Sequence, residues 1–363
     1  MCWNKKADPA PAGKKRIAVL TSGGDAPGMN AAVRAVVRAG IFSGFEVVGI
    51  RNGYNGLLED LDEKQFDGLV LREKNVSKII DRGGTMLYTA RCPEFVEPKG
   101  VQKGADFCRK HNICGVVVIG GDGSFRGARD LSDAGIPCIG IPATIDNDIM
   151  SSYYSIGYDT ALNTAMRMID NLRDSAESLD RCSVVEVMGA HAGYLAIYTG
   201  IACGAISILV PERHGEGREV DKQVVFDRIK QSKQRGARHF IVVVAEGVGL
   251  MEGETPARHK QHFVDILAEE IERVTGIVSR ASILGHVQRG GSPTMRDRIM
   301  ATELGCYAVK LLAEDKRNRV VAVNNNGQIT DLDINDALNP NKDVEHKKIF
   351  PIDLLDLANT VSM

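Results

Sequence analysis

Val116-Val117-Val118-Ile119-Gly120-Gly121-Asp122-Gly123-Ser124, followed after an amphipathic segment by Ile139-Gly140-Ile141-Pro142-Ala143-Thr144-Ile145-Asp146-Asn147-Asp148, is the stretch whose reading decides the fold. Each half is a short apolar, largely β-branched run, the pattern of a strand buried on both faces of a parallel sheet. In open α/β sheets the ligand lies beyond the carboxyl ends of such strands, and here both ends carry the polar residues. Gly120 to Ser124 removes side chains so that backbone N–H groups can approach an anion, and sets the Asp122 carboxylate and the Ser124 hydroxyl among them. That combination suits a phosphate with its Mg²⁺. The segment from about Ser124 to Ala134 has Leu131 and small residues on one face, which predicts a helix whose positive end faces the same phosphates. Thr144 to Asp148 can be read as a plain turn, since Asp and Asn are turn formers. Two carboxylates beside a second phosphate-type loop favour chemistry over that reading.

Composition narrows the partners. The chain has 363 residues, enough for about two domains, and a formal net charge of −2 without a basic stripe. Nucleic acid and anionic membrane are therefore not expected partners. The apolar stretch near Ile201 to Val210 is interrupted by Gly204 and Ser207 and is too short to span a bilayer. No signal peptide is indicated at the N-terminus. The eight cysteines include no CxxC pair, and several sit in apolar runs, as expected of reduced thiols in a cytoplasmic protein.

Working outward, residues 1–14 read as a mobile arm, and Arg16 to Leu20 as the first buried strand. This strand runs into Thr21-Ser22-Gly23-Gly24-Asp25-Ala26-Pro27-Gly28-Met29-Asn30 and then a helical stretch. Gly23 and Gly28 have the glycine spacing of a P-loop, but Met29-Asn30 stands where Lys and Ser or Thr should be, so this is not a Walker A motif. A glycine-rich turn between strand and helix can still bind phosphate, or be simply a tight turn. Asn52 to Gly56 is a loop with one aromatic, Tyr54, able to stack on a base. A helix is predicted over Val76 to Arg82. Arg91 lies in a loop of small residues and taken alone is more often a surface charge. Strand, loop and helix units then recur, with strands at Val184–Met188, 207–210 and 240–245 and helices at 157–174, 223–235, 263–274 and 296–312. His286 alone would be structural, but beside Arg289 and a glycine pair an anion contact is equally plausible. The architecture implied is α/β: two doubly wound Rossmann-like domains facing each other across an active-site cleft.

Thr21-Ser22-Gly23-Gly24-Asp25, Gly120 to Ser124, Pro142 to Asp148, Val187-Met188-Gly189 and Gly285-His286-Val287-Gln288-Arg289-Gly290-Gly291-Ser292 occur in this order. Together they closely resemble the bacterial ATP-dependent 6-phosphofructokinases, over nearly the whole chain after residue 15. The resemblance implies MgATP-dependent phosphorylation of the 1-hydroxyl of fructose 6-phosphate. It implies that Asp146 is the general base, that Asp122 and Asp148 organise Mg²⁺, and that Thr144 and Arg91 steady the transferred group. Gly24, Gly121, Gly123 and Ser124 would hold the nucleotide phosphates, with Tyr54, Cys92 and Gly127 near the nucleoside. Met188, Gly189, Glu246, His286 and Arg289 would hold the sugar phosphate. Arg181 and Arg280 match arginines that reach in from a neighbouring subunit, implying a homotetramer. The expected division is a larger nucleotide-binding domain, 1–157 with 288–338, and a smaller sugar-phosphate domain, 158–287 with 339–363.

The sequence departs from the family pattern at informative places. Ala190 stands where an Arg usually helps bind the transferred phosphate. Arg34, Arg38, Arg173, Arg235 and Arg238 resemble the family's effector-site arginines, but Ile206 replaces the acidic residue that joins them. In the pyrophosphate-using relatives the positions of Gly123 and Ala143 are typically Asp and Lys, so small uncharged residues here favour ATP. The alternatives are a pyrophosphate-dependent enzyme, a kinase of the NAD or diacylglycerol type, which would not explain Gly285 to Ser292, and a non-catalytic sugar-phosphate sensor.

Overall fold

The computed structural model describes residues 15–214, 220–248, 262–339 and 350–361. The arm expected over residues 1–14 lies outside them. In chain order the strands are β1 (Arg16–Thr21), β2 (Glu46–Gly49), β3 (Val70–Leu71), β4 (Ile113–Gly120), β5 (Cys138–Pro142), β6 (Cys182–Val187), β7 (Ser207–Leu209), β8 (Phe240–Ala245), β9 (Ser279–Ile283), β10 (Arg319–Val323) and β11 (Ile329–Asp333).

The chain divides into two compact units. Of the described residues the first holds 15–144, 149–159 and 289–339, and the second holds 145–148, 160–214, 220–248, 262–288 and 350–361. The first is built on the sheet β11-β10-β5-β4-β1-β2-β3. Its inner strands run parallel, and only the edges β3 and β11 pair antiparallel. Val116, Val117, Val118 and Ile119 are wholly buried, as expected where helices cover both faces. The helix Asp122–Asp133 turns Phe125, Ala128 and Leu131 inward at helical spacing. Helices Met29–Phe42 and Met295–Ala313 pack closely because Gly305 leaves room: a β-carbon there would meet the Ala35 methyl at 2.7 Å. The second unit is a parallel sheet in the order β7-β8-β6-β9, and the helices Tyr158–Ser178, Tyr194–Ala202, Lys222–Gln234 and Phe263–Thr275 precede β6, β7, β8 and β9 in turn. The α/β class with Rossmann-like units is as the sequence implied. Among the described residues no helix is long and apolar enough to cross a membrane.

Local readings changed at three places. The helix predicted over Val76 to Arg82 is instead a short 3₁₀ turn, Glu73–Val76, followed by turns. Val76 and Ile79 are buried there as anchors, and Gly83 then lies flat on Gly291, whose carbonyl is 2.4 Å from where a β-carbon would sit. A continuing helix could not make that backbone approach. The loop Asn52–Gly56 tightens into a 3₁₀ helix, Gly53–Leu57. The helix Pro98–Lys110, unread in the sequence, buries Val101, Ala105, Phe107 and Cys108 and starts with Pro in its first turn.

Candidate active site

In the first unit the phosphate-type turns are neighbours because β1 and β4 pair in parallel, with Thr21 opposite Ile119. The Ser22 amide donates to the Ile119 carbonyl at 3.0 Å, and the Ser124 hydroxyl donates to the Ser22 carbonyl at 3.0 Å. Gly120 is required here, since a β-carbon would sit 2.4 Å from both that hydroxyl and that carbonyl. Ser124 is therefore 3 % exposed and ties the two turns together. The helix begins at Asp122, capped by Gly121, so its positive end faces this corner. β-Carbons added at Gly121 or Gly123 would meet nothing within 4 Å.

Tyr54 requires a correction. Its ring stacks on Phe95 with centroids 4.3 Å apart, its hydroxyl donates to the Ser124 carbonyl at 2.5 Å, and only 5 % of the residue is exposed. Burial pushes its phenol well above the usual value. Gly127 admits this ring, because a β-carbon there would approach it to 2.7 Å. Tyr54 thus supports the phosphate turn from behind and is not free to stack on a base, and Gly127 serves that packing.

The segment leading to Arg91 and Cys92 is stitched to the first turn. Thr21 Oγ1 donates to the Tyr88 carbonyl at 2.8 Å and lies 2.9 Å from Thr85 Oγ1, while Thr89 Oγ1 donates to the Gly23 carbonyl at 2.7 Å. Asn30 Nδ2 donates to the carbonyls of Arg82 and Gly83, both at 3.1 Å, and its Oδ1 accepts from Met86 N at 2.7 Å. Arg91 itself is exposed, and Cys92 is half-buried with its thiol pushed up by burial. Arg289 lies across Gly24: its Nη1 donates to the Asp25 carbonyl at 3.2 Å, and a β-carbon on Gly24 would stand 2.7 Å from that nitrogen.

The loop after β5 is held by Ala143, whose amide donates to the Gly120 carbonyl at 3.0 Å, and by Ser155, whose hydroxyl donates to the Thr144 carbonyl at 2.6 Å. Ile145 and Asn147 are buried, with Asn147 in the left-handed region at φ 52. Asp146 is 9 % exposed, and Asp148 is exposed. Among the described residues no group of three His, Cys, Asp or Glu side chains is gathered to hold a metal by itself.

In the second unit, β6 ends in Met188, which is buried, and then Gly189 and Ala190 at φ 136 and φ 52. Both of their amides donate to Glu246 Oε1, at 3.0 and 2.7 Å. This fixes one Glu246 oxygen to the turn that follows β6. His286 is exposed on the turn Gly285–Arg289, which is anchored by the fully buried Gln288. Arg181 is half-buried just before β6, and the exposed Arg280 on β9 pairs with Glu272 at 3.0 Å.

The five arginines likened to an effector site are divided between the units. In the first, Arg34 has a buried Nε without a hydrogen-bond partner among the described residues, and burial followed by the neighbouring Arg38 lowers its pKa. In the second, Arg173 pairs with Asp170 at 3.0 Å and donates to the Cys203 carbonyl, Arg238 pairs with Asp180 at 2.8 Å, and Arg235 is exposed. Ile206 is 7 % exposed and offers no side-chain oxygen.

Sequence reasoning missed Asn30, Thr21, Thr85 and Thr89 as the residues that hold the candidate loops. Their only signal was polarity near the turns, and their partners lie far along the chain.

The phosphofructokinase family model matches residues 16–312. A curated relative from Bacillus cytotoxicus named ATP-dependent 6-phosphofructokinase is 48% identical over 349 residues, covering 96% of this chain and 100% of its own. One from Bacillus thuringiensis with the same name is 50% identical over 324 residues, 89% of this chain and 94% of its own. Among solved structures, phosphofructokinase from Saccharomyces cerevisiae superposes with a TM-score of 0.79 at 30% identity over 96% of this chain, which spans 48% of the yeast chain. A pyrophosphate-dependent phosphofructokinase from Marinobacter aquaeolei gives a TM-score of 0.76 at 20% identity over 95% of this chain and 91% of its own, a likeness of fold alone.

Proposed function

This chain belongs to the phosphofructokinase family, and on that premise we propose that it transfers the γ-phosphoryl group of MgATP to the 1-hydroxyl of fructose 6-phosphate, giving fructose 1,6-bisphosphate and ADP. The observation that carries the reading is near-half identity, along almost the whole chain, to relatives named for ATP. The open space over Gly121 and Gly123 supports it, because a nucleotide's phosphates need close access to backbone at a helix start.

In this reading the Asp146 carboxylate accepts the proton of the sugar's 1-hydroxyl as that oxygen bonds to the γ-phosphorus and the bond to the β-phosphate oxygen breaks. Thr144 and Arg91 steady the group in transit. Gly24, Gly121, Gly123 and the turn that Ser124 ties down receive the nucleotide phosphates, with Cys92 near the nucleoside. Met188, Glu246, His286 and Arg289 hold the sugar phosphate, and Ala190 contributes no cation. Asp122 and Asp148 fit Mg²⁺, which accepts one or two carboxylates and fills its remaining positions with phosphate oxygens and water. The ion, when bound, neutralises charge on the phosphates. We further propose that the enzyme is a cytoplasmic homotetramer in which Arg181 and Arg280 serve the neighbouring subunit's sugar site.

Incubation with γ-labelled ATP and fructose 6-phosphate tests this. The label should appear on carbon 1 of fructose 1,6-bisphosphate only when the sugar and Mg²⁺ are both present. Release as free phosphate at an equal rate without sugar would overturn the assignment.

A further inference from the structure

We propose that Tyr88 is a specificity-determining residue of the nucleotide site, supplying the aromatic contact to the donor's nucleoside; the inference rests on the ATP-dependent reading above. Tyr88 is 60% exposed, unusual for so large an aromatic, and its φ of 56 lies in the left-handed region normally filled by Gly or Asn. A tyrosine held there is fixed by its surroundings. The Tyr88 amide donates to the Thr85 carbonyl at 3.2 Å, and its carbonyl accepts from the hydroxyl of Thr21, a fully buried residue that ends β1. On either side, the Leu87 carbonyl accepts from Asn52 N at 2.9 Å and Thr89 Oγ1 donates to the Gly23 carbonyl at 2.7 Å. The backbone of Tyr88 is therefore pinned from both sides beside the Thr21–Gly24 turn, while its ring is left outside. Its side chain makes no hydrogen bond among the described residues.

Tyr54, the aromatic behind the second turn, is not available: its ring is committed to Phe95 and its hydroxyl to Ser124, and Phe95 and Phe125 are themselves buried. A base has a π-face whatever its identity, so a rigidly presented, exposed ring beside a phosphate turn discriminates between donors with and without a nucleoside, and little between one base and another. The residue thus favours a nucleoside triphosphate over a bare polyphosphate.

The test compares Tyr88→Gly and Tyr88→Phe in the whole enzyme. Readouts are KM for ATP, GTP and fructose 6-phosphate, inhibition by inorganic tripolyphosphate, which has phosphates and no nucleoside, and the thermal midpoint. The Gly variant should raise KM for ATP and GTP alike by about tenfold, the scale of one lost base–aromatic stack. Its KM for fructose 6-phosphate, its tripolyphosphate inhibition and its thermal midpoint should hold, because glycine accepts this backbone conformation. The Phe variant should match wild type. An unchanged KM for ATP in the Gly variant, or an equal weakening of tripolyphosphate inhibition, overturns the role of Tyr88. Wild-type activity with ATP is measured alongside and tests the function itself, so a failure of Tyr88 in an enzyme that uses ATP is distinct from a failure of the reading.

Discussion

Asp146, 9 % exposed in the loop that follows β5, is the residue we propose as the base, because a carboxylate there can accept the proton of the sugar hydroxyl. Asp146→Asn preserves shape and removes the acceptor. Turnover should fall by about 10²-fold or more, measured as kcat at saturating substrates, whereas a variant within a few-fold of wild type would move the role elsewhere. The apolar runs of β4 and β5 were legible as buried strands and the residues beyond them as polar, because a continuous apolar run that ends in Gly and Asp is a local pattern. Tyr54 was not legible. An aromatic in a glycine-rich polar loop looks exposed, and only the distant Phe95 and Ser124 take its ring and hydroxyl inside.

At the scale of elements, the 3₁₀ helix Gly53–Leu57 is coupled to the start of helix Asp122–Asp133 through the Tyr54–Ser124 bond. Tyr54→Phe should cost about 1 kcal/mol of stability, seen as a lower unfolding midpoint, with KM for ATP unchanged. A large rise in KM with unaltered stability would restore the stacking role instead. The central strands could be read from sequence because burial on both faces demands continuous apolar runs. The stretch 76–82 misled for the opposite reason: its apolar spacing imitates a helix turn, while its conformation is set by the approach of Gly83 to Gly291. The helix Pro98–Lys110 did carry its signal, a Pro at the start and apolar residues at helical spacing, and it shows that periodicity in a weakly apolar stretch is easily passed over.

For the whole molecule, the five motifs in their order made the family legible. The side-chain ties made by Asn30, Thr21 and Thr89 join residues too far apart in sequence for any local pattern to announce them. If Arg280 serves a neighbouring subunit, mixing Asp146→Asn with Arg280→Ala protein should restore some activity in hybrid oligomers, and verified hybrids without recovery would contradict a shared site. ADP should activate weakly, since Ile206 gives no oxygen to a nucleotide-bound metal; strong activation abolished by Arg238→Ala would contradict this. The central claim, that the donor is ATP, is met most directly by kcat/KM for ATP against pyrophosphate at saturating fructose 6-phosphate and Mg²⁺, with Gly123→Asp measured in parallel. The account predicts efficient turnover with ATP, little with pyrophosphate, and a large loss of ATP activity when a carboxylate enters the open space over Gly123. Efficient turnover with pyrophosphate, together with an Asp variant that still uses ATP as well as wild type does, would contradict it.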